Sequence, residues 1–218
     1  MAGESLPGHY QRALERFRYG NGSCKVDFIL SGPVPWQASG LSEAGTVHVG
    51  GTRAELARSE NEVSAGRHPE RPYVLVAQPS RFDPSRAPAG RHTLWTYCHV
   101  PAGSTKDMTN RIVSQLERFA PGFRDLVVES HVITAAELAE YNRNYIGGDF
   151  SAGIMDVRGL IQKPVVSPVP WRTPLLGVYL CSSSTPPGPG VTGMPGMYAA
   201  KHALKDVFKL PVPDLGLA

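Results

Sequence analysis

Near the carboxy end, Ser182, Ser183 and Ser184 lead through Pro186 and Pro187 into Gly188, Gly190 and Gly193. Glycines at this spacing leave the backbone bare, so a flat or anionic ligand can approach it. A helix beginning just after them would add unpaired N–H groups and the positive end of its dipole. The glycines satisfy G-x-G-x-x-G, but a dinucleotide site also needs a second strand ending in an acid about 20 residues further on. Only a short Pro-containing tail follows here. The competing reading is a helix packed closely on a sheet through Gly193, Gly196, Ala199 and Ala200.

A second group is Trp95, Tyr97 and His99, which period two places on one face of a strand. They could line an apolar substrate cavity, although aromatic residues on strands usually pack in the core, and that is the expectation. His48 and His99 are acid–base candidates; a strand histidine without a placed carboxylate is more often structural. Gly147, Gly148 and Asp149 form a third candidate, either a tight turn or part of a substrate site. Pro101–Lys106 lacks the G-K-[ST] order of a phosphate loop, and no G-x-S-x-G elbow occurs. No catalytic constellation is therefore identified. Cys24, Cys98 and Cys181 are far apart and outside any C-x-x-C pair, which argues against a zinc site or a disulfide framework and fits a reducing compartment.

These residues need elements to hold them. Ser5 and Pro7 read as the start of a helix ending near residues 19–22, and 25–31 alternates as a strand. Thr46–Val49 is a short strand, and Thr52 with Glu55 is a capping box for a helix to about Ala65. The runs 73–78 and 92–100 are β-rich and flank a Pro-studded loop, so they are expected to be neighbours in one sheet. Ser104 and Asp107 begin a helix with an apolar stripe of Met108, Ile112, Leu116 and Phe119. A strand over 126–133 and a second capping box at Thr134 and Glu137 follow. After an irregular stretch over 142–174, a last strand is expected at 176–181 and a last helix at about 191–208. The interleaving lacks a regular βαβ alternation, which points to an α+β fold with a mixed or antiparallel sheet and flanking helices.

The chain of 218 residues is 41% hydrophobic, enough to bury a core in one or two domains. A net charge of +3 with scattered Lys and Arg leaves no footprint for nucleic acid. No stretch approaches the roughly 20 apolar residues of a transmembrane helix, and the opening residues carry no signal pattern.

The stretch YLCSSSTPPGPGVTGMPGMYAA resembles the carboxy-terminal flavin-contacting motif of phytoene dehydrogenase-like proteins, the group that includes the carotenoid desaturases. KVDFILSGPVPW, AGTVHVGGT, ERPYVLVAQPSRFDPSRAPAGRHTLWTYCHVP, QLERFAPGFRDLV and NRNYIGGDFSAG resemble the second half of such enzymes in the same order. The resemblance implies an FAD-dependent oxidoreductase that desaturates a hydrophobic substrate. It assigns residues 1–150 to a substrate-binding sheet domain and 151–218 to the carboxy-terminal strand, loop and helix of a flavin domain. Ser183, Ser184, Gly188, Gly190, Val191, Gly193 and Met194 would contact FAD. Trp95, Tyr97, His99, Gly148 and Asp149 would border the substrate. The chain departs from the family pattern at Pro189, inside a usual glycine triplet, and at Thr192 and Pro195, where His and Cys are common. The two prolines stiffen the loop and remove N–H donors. No G-x-G-x-x-G follows a strand near the amino terminus, so a complementary flavin-binding polypeptide or a homodimer is expected to complete the site, or the chain is an inactive remnant that binds a ligand or partner. The expected location is cytoplasmic, at most peripheral to a membrane.

Overall fold

The computed structural model describes residues 3–214; positions 1, 2 and 215–218 lie outside the described residues. In chain order the elements are α1 (Gly8–Glu15), β1 (Gly22–Leu30), β2 (Thr46–Val49), α2 (Arg53–Ser64), β3 (Val74–Ala77) and α3 (Pro79–Phe82). Then come β4 (His92–Val100), α4 (Thr109–Glu117), α5 (Phe123–Leu126), β5 (Val127–Ile133), α6 (Ala135–Tyr141), α7 (Val157–Ile161) and α8 (Met194–Ala203). A π-helical turn, Leu204–Phe208, extends α8. The contacts divide the chain into two compact units, one of residues 21–150 and one joining the first twenty residues to those from Ser151 onward. The first helix, grouped by the sequence with the sheet, therefore packs with the carboxy-terminal stretch. One cause is visible at its end, where the Ile154 amide donates to the Arg18 carbonyl at 3.0 Å.

In the unit of residues 21–150, five strands form one sheet in the order β2-β3-β4-β1-β5. Every pairing is antiparallel. The central strands β1 and β4 alternate over 24–30 and over 94–100. Cys24, Val26, Phe28 and Leu30 of β1, with Leu94, Cys98 and Val100 of β4, point into the core. The stripe of α4 covers them with Met108, Ile112, Val113 and Leu116, all buried. Phe28 meets Phe123 edge to face, ring centroids 5.6 Å apart, a geometry that adds about 0.5–1.5 kcal/mol to what burial supplies. Both capping boxes form, with Thr52 and Thr134 each accepting from the amide of the glutamate three residues on. The buried Gln78 amide donates to the Leu41 and Ala44 carbonyls and accepts from Trp36 Nε1, which ties down the loop between β1 and β2.

In the other unit, regular structure is sparse. Ser5 does not cap α1; Pro7 holds that position without a side-chain hydrogen bond, because Pro at this point presets φ and the helix starts after it. The strand expected over 176–181 does not form. A strand needs a neighbour to accept its ladder, and here the chain folds back on itself instead. Arg172 and Tyr179 make a single antiparallel bridge, the Leu180 amide donates to the Trp171 carbonyl at 2.8 Å, and Leu176 at the tip is 95% exposed. The last helix starts at Met194 rather than 191, since Gly193 sits in the left-handed region at φ +68° and caps it.

Candidate functional site

The alternation that buries Leu94, Thr96, Cys98 and Val100 sends Trp95, Tyr97 and His99 to the opposite face, where all three are half-buried. They are not core residues, contrary to the expectation for aromatics on a strand. The reason is that α4 covers only one side of the sheet. Along β4 the rings form a ladder: Trp95 stacks on Tyr97 with centroids 6.3 Å apart and planes 14° from parallel, and Tyr97 lies 6.0 Å from His99. Phe150 meets Tyr97 edge to face at 5.0 Å. Register carries the row across the sheet, with His48, Leu75, Tyr97, Lys25 and Ile133 lying side by side. The next row runs Ala77, Trp95, Asp27 and His131. Beside Trp95 a cleft of about 300 Å³ opens between Ile29, His131 and Arg86.

Polar groups sit at one end of this ladder. His99 Nδ1 is 2.8 Å from Glu60 Oε2 on α2, and the other carboxylate oxygen of Glu60 is buried without a hydrogen-bond partner among the described residues. Tyr73 hydrogen-bonds His48 Nδ1 and stacks on its ring. Burial pushes the Tyr97 phenol up, and the Tyr73 and Glu60 groups push it further the same way. With Nδ1 engaged by a carboxylate, His99 holds its N–H there and presents Nε2 as an acceptor. Neither Glu60 nor Phe150 was singled out from the sequence. For Glu60 there was a signal: Leu56, Ser59, Glu60 and Val63 share one face of α2 at helical spacing, and Ser59 and Val63 are buried.

Gly148 and Asp149 are both buried. Gly148 has φ +83°, and a Cβ there would lie 2.6 Å from the Ala135 carbonyl oxygen, so close packing on α6 accounts for the glycine. Asp149 precedes Phe150, whose ring meets Tyr97.

Of the expected flavin contacts, Ser183 and Ser184 are half-buried in a turn closed by Thr185. Ser184 Oγ donates to the Ala152 carbonyl at 3.0 Å. Gly188 is buried with φ +102°, and a Cβ on it would come within 3.5 Å of the Lys163 ammonium. Gly190, Val191 and Gly193 are exposed, with nothing packed on Gly193, and Met194 is half-buried. The start of α8 is a poor phosphate site: Met194 donates to Thr192 Oγ1 and Pro195 has no N–H, which leaves Gly196 as the first amide to spare.

Burial pushes the Cys24 thiol up to about 11 and raises that of Cys98 as well. Among the described residues no group of three or more His, Cys, Asp or Glu side chains is arranged to hold a metal ion, and no helix is long and apolar enough to cross a membrane.

No family model matches the chain. Over 164 residues it is 29% identical to pyridine nucleotide-disulfide oxidoreductase domain-containing protein 2 of Rattus norvegicus, and 28% identical to the protein of that name from Mus musculus. The similarity covers 70% of this chain and 28% of each relative. The chain thus spans a little over a quarter of the length of the curated relatives it matches.

Proposed function

We propose that this chain belongs to an FAD-dependent oxidoreductase of the phytoene dehydrogenase-like type and carries the surface that holds its hydrophobic substrate. The observation that supports this reading is the half-buried row of Trp95, Tyr97 and His99 on the face of the sheet opposite its core, flanked by Phe150 and Glu60. A flat apolar chain laid along Trp95, Tyr97 and Phe150 would lose water from both surfaces, which is the main source of affinity for such a ligand. FAD, when bound, supplies the two-electron acceptor that takes a hydride from the substrate. Desaturation also releases a proton, and His99 Nε2 receives it while Glu60 holds Nδ1 and balances the charge that forms. Gly190, Val191 and Gly193, with Gly188, Ser183, Ser184 and Met194 beneath and beside them, would offer backbone to the flavin ring.

Residues 151–214 carry many exposed large apolar side chains, among them Val157, Ile161, Leu176 and Val191. Exposure on this scale marks a surface that further polypeptide covers. We take that cover to be a dinucleotide-binding polypeptide that completes the flavin site. The test is a titration of FAD, followed by flavin fluorescence, with the chain alone and with a co-expressed dinucleotide-binding polypeptide. A polyene titration, followed by tryptophan quenching, accompanies it in the native chain and Trp95→Phe. Flavin binding in at least one arrangement, and quenching that falls in Trp95→Phe, is expected. Absence of flavin binding in both, or quenching unaltered by the substitution, overturns the reading.

A further inference from the structure

We infer that a cleft between α1 and the segment 158–174 binds a phosphate-bearing organic ligand. The cleft has a volume of about 640 Å³, within the range of roughly 300–1,000 Å³ typical of small-molecule sites. Arg16, the C-cap of α1, and Arg158 of α7 both line it, and both also line a smaller niche beside it, so the two residues flank the same space. No carboxylate is among the groups lining the cleft. The nearby acids are engaged elsewhere: Asp156 pairs with Arg18, and Asp206 takes both a bidentate contact from Arg172 and the Tyr179 hydroxyl. Arg16 has no ion pair among the described residues, and Arg158 makes a 3.2 Å hydrogen bond to Gln162 at its own helix end while its charge adds to that of Arg18 in holding Asp156 ionised.

An independent observation points the same way. Tyr10 lines the cleft, is only 8% exposed, and its hydroxyl is buried without a hydrogen-bond partner among the described residues. A phenol left unbonded costs about 1–3 kcal/mol, a deficit that a ligand oxygen would remove. The remaining wall is apolar, with Val165 and Val169 on it. Two guanidinium groups, a waiting hydroxyl donor and an apolar wall together suit a phosphate or diphosphate ester with an organic body. Planar guanidinium groups recognise phosphate through paired N–H donors, and two of them can neutralise the double charge that a phosphate ester carries. The inference stands on this cleft and does not depend on the flavin reading.

The ligand phosphate has two sources, a free nucleotide or a lipid headgroup, and two probes separate them. ADP, which lacks a flavin ring, is titrated calorimetrically with inorganic pyrophosphate as competitor. Flotation with phosphatidylcholine vesicles, with and without phosphatidic acid, tests the headgroup. Binding in either arm is expected to weaken with salt, to fall at least about tenfold in the Arg16→Glu, Arg158→Glu double variant, and to fall about fivefold in Tyr10→Phe. Arg91→Glu, in the sheet unit, serves as the control and leaves binding unchanged. Tyr10→Phe keeps the ring and its packing, so it reports on the hydroxyl even where the double variant folds poorly. ADP binding that is lost in the variants supports a nucleotide-like ligand, and phosphatidic acid-dependent flotation that is lost supports a headgroup. No binding of either probe, or binding indifferent to all three substitutions, overturns the inference.

Discussion

Glu60 and His99, 39 residues apart in the chain, are joined by a 2.8 Å contact between α2 and β4, and this places a carboxylate-held imidazole at the end of an aromatic ladder. The same carboxylate acts on Tyr97, whose phenol is raised first by burial and then by Tyr73 and Glu60. Glu60→Gln should therefore let Tyr97 ionise at lower pH than in the native chain, while burial still holds it above the ordinary value of 10.0. Ultraviolet difference titration against a Tyr97→Phe reference measures it. If Tyr97 titrates identically in both proteins, the carboxylate is not acting on the ladder. Once a turnover assay exists, His99→Gln should lower kcat by about 10²-fold or more, with a smaller loss for Glu60→Gln.

The raised phenols also set an alkaline limit. Below pH 10 Tyr73 and Tyr97 are protonated in both folded and unfolded chains, so they contribute no pH dependence there. Above it the unfolded chain loses these protons first, and stability falls as pH rises toward the higher folded values. Urea unfolding followed between pH 9 and 11 should show the decline, and Tyr97→Phe should make it shallower.

Glu55 behaves in the opposite sense. The Thr52 amide, and after it Arg118, hold its carboxyl down at about 2 against an ordinary 4.5. The stability it contributes is present above pH 4.5 and is lost as pH falls through about 2. In Glu55→Gln the acid arm of the stability profile should flatten over that window. Thr52→Ala should cost about 1 kcal/mol at neutral pH through loss of the cap. Circular dichroism during acid titration and urea melts measures both.

Gly148 is expected to tolerate no side chain. Its φ of +83° and the Ala135 backbone 2.6–2.7 Å from a would-be Cβ make Gly148→Ala destabilising, by roughly 2–5 kcal/mol. Gly40→Ala, where nothing lies within 4 Å, should stay close to neutral. A thermal melt of the two variants side by side tests the pair, and equal midpoints would contradict the packing described.

Thiol reactivity should divide the cysteines. Cys24 and Cys98 face each other across β1 and β4, fully buried, whereas Cys181 is exposed. Burial keeps the first two protonated and out of reach. A chromogenic disulfide reagent should find one thiol in the native protein and all three after denaturation. Rapid reaction of every thiol in the native state would rule this out.

What the sequence determined by itself was local. The limits of β4 follow from the β-rich run over 92–100, and the starts of α2 and α6 follow from Thr52 with Glu55 and Thr134 with Glu137, because a capping box closes within four residues. That Trp95, Tyr97 and His99 share a face was legible from the period of two. Which face they share was not, since alternation is symmetric until α4 packs on one side and commits the other to the open. The meeting of Cys24 with Cys98, and of Glu60 with His99, likewise waited on strand register and helix docking. The strand expected at 176–181 failed because alternation and β-propensity describe one chain segment while a strand is a property of two. Tertiary structure alone decided that α1 joins the carboxy-terminal residues, and only that union puts Tyr10 and Arg16 in one cleft with Arg158.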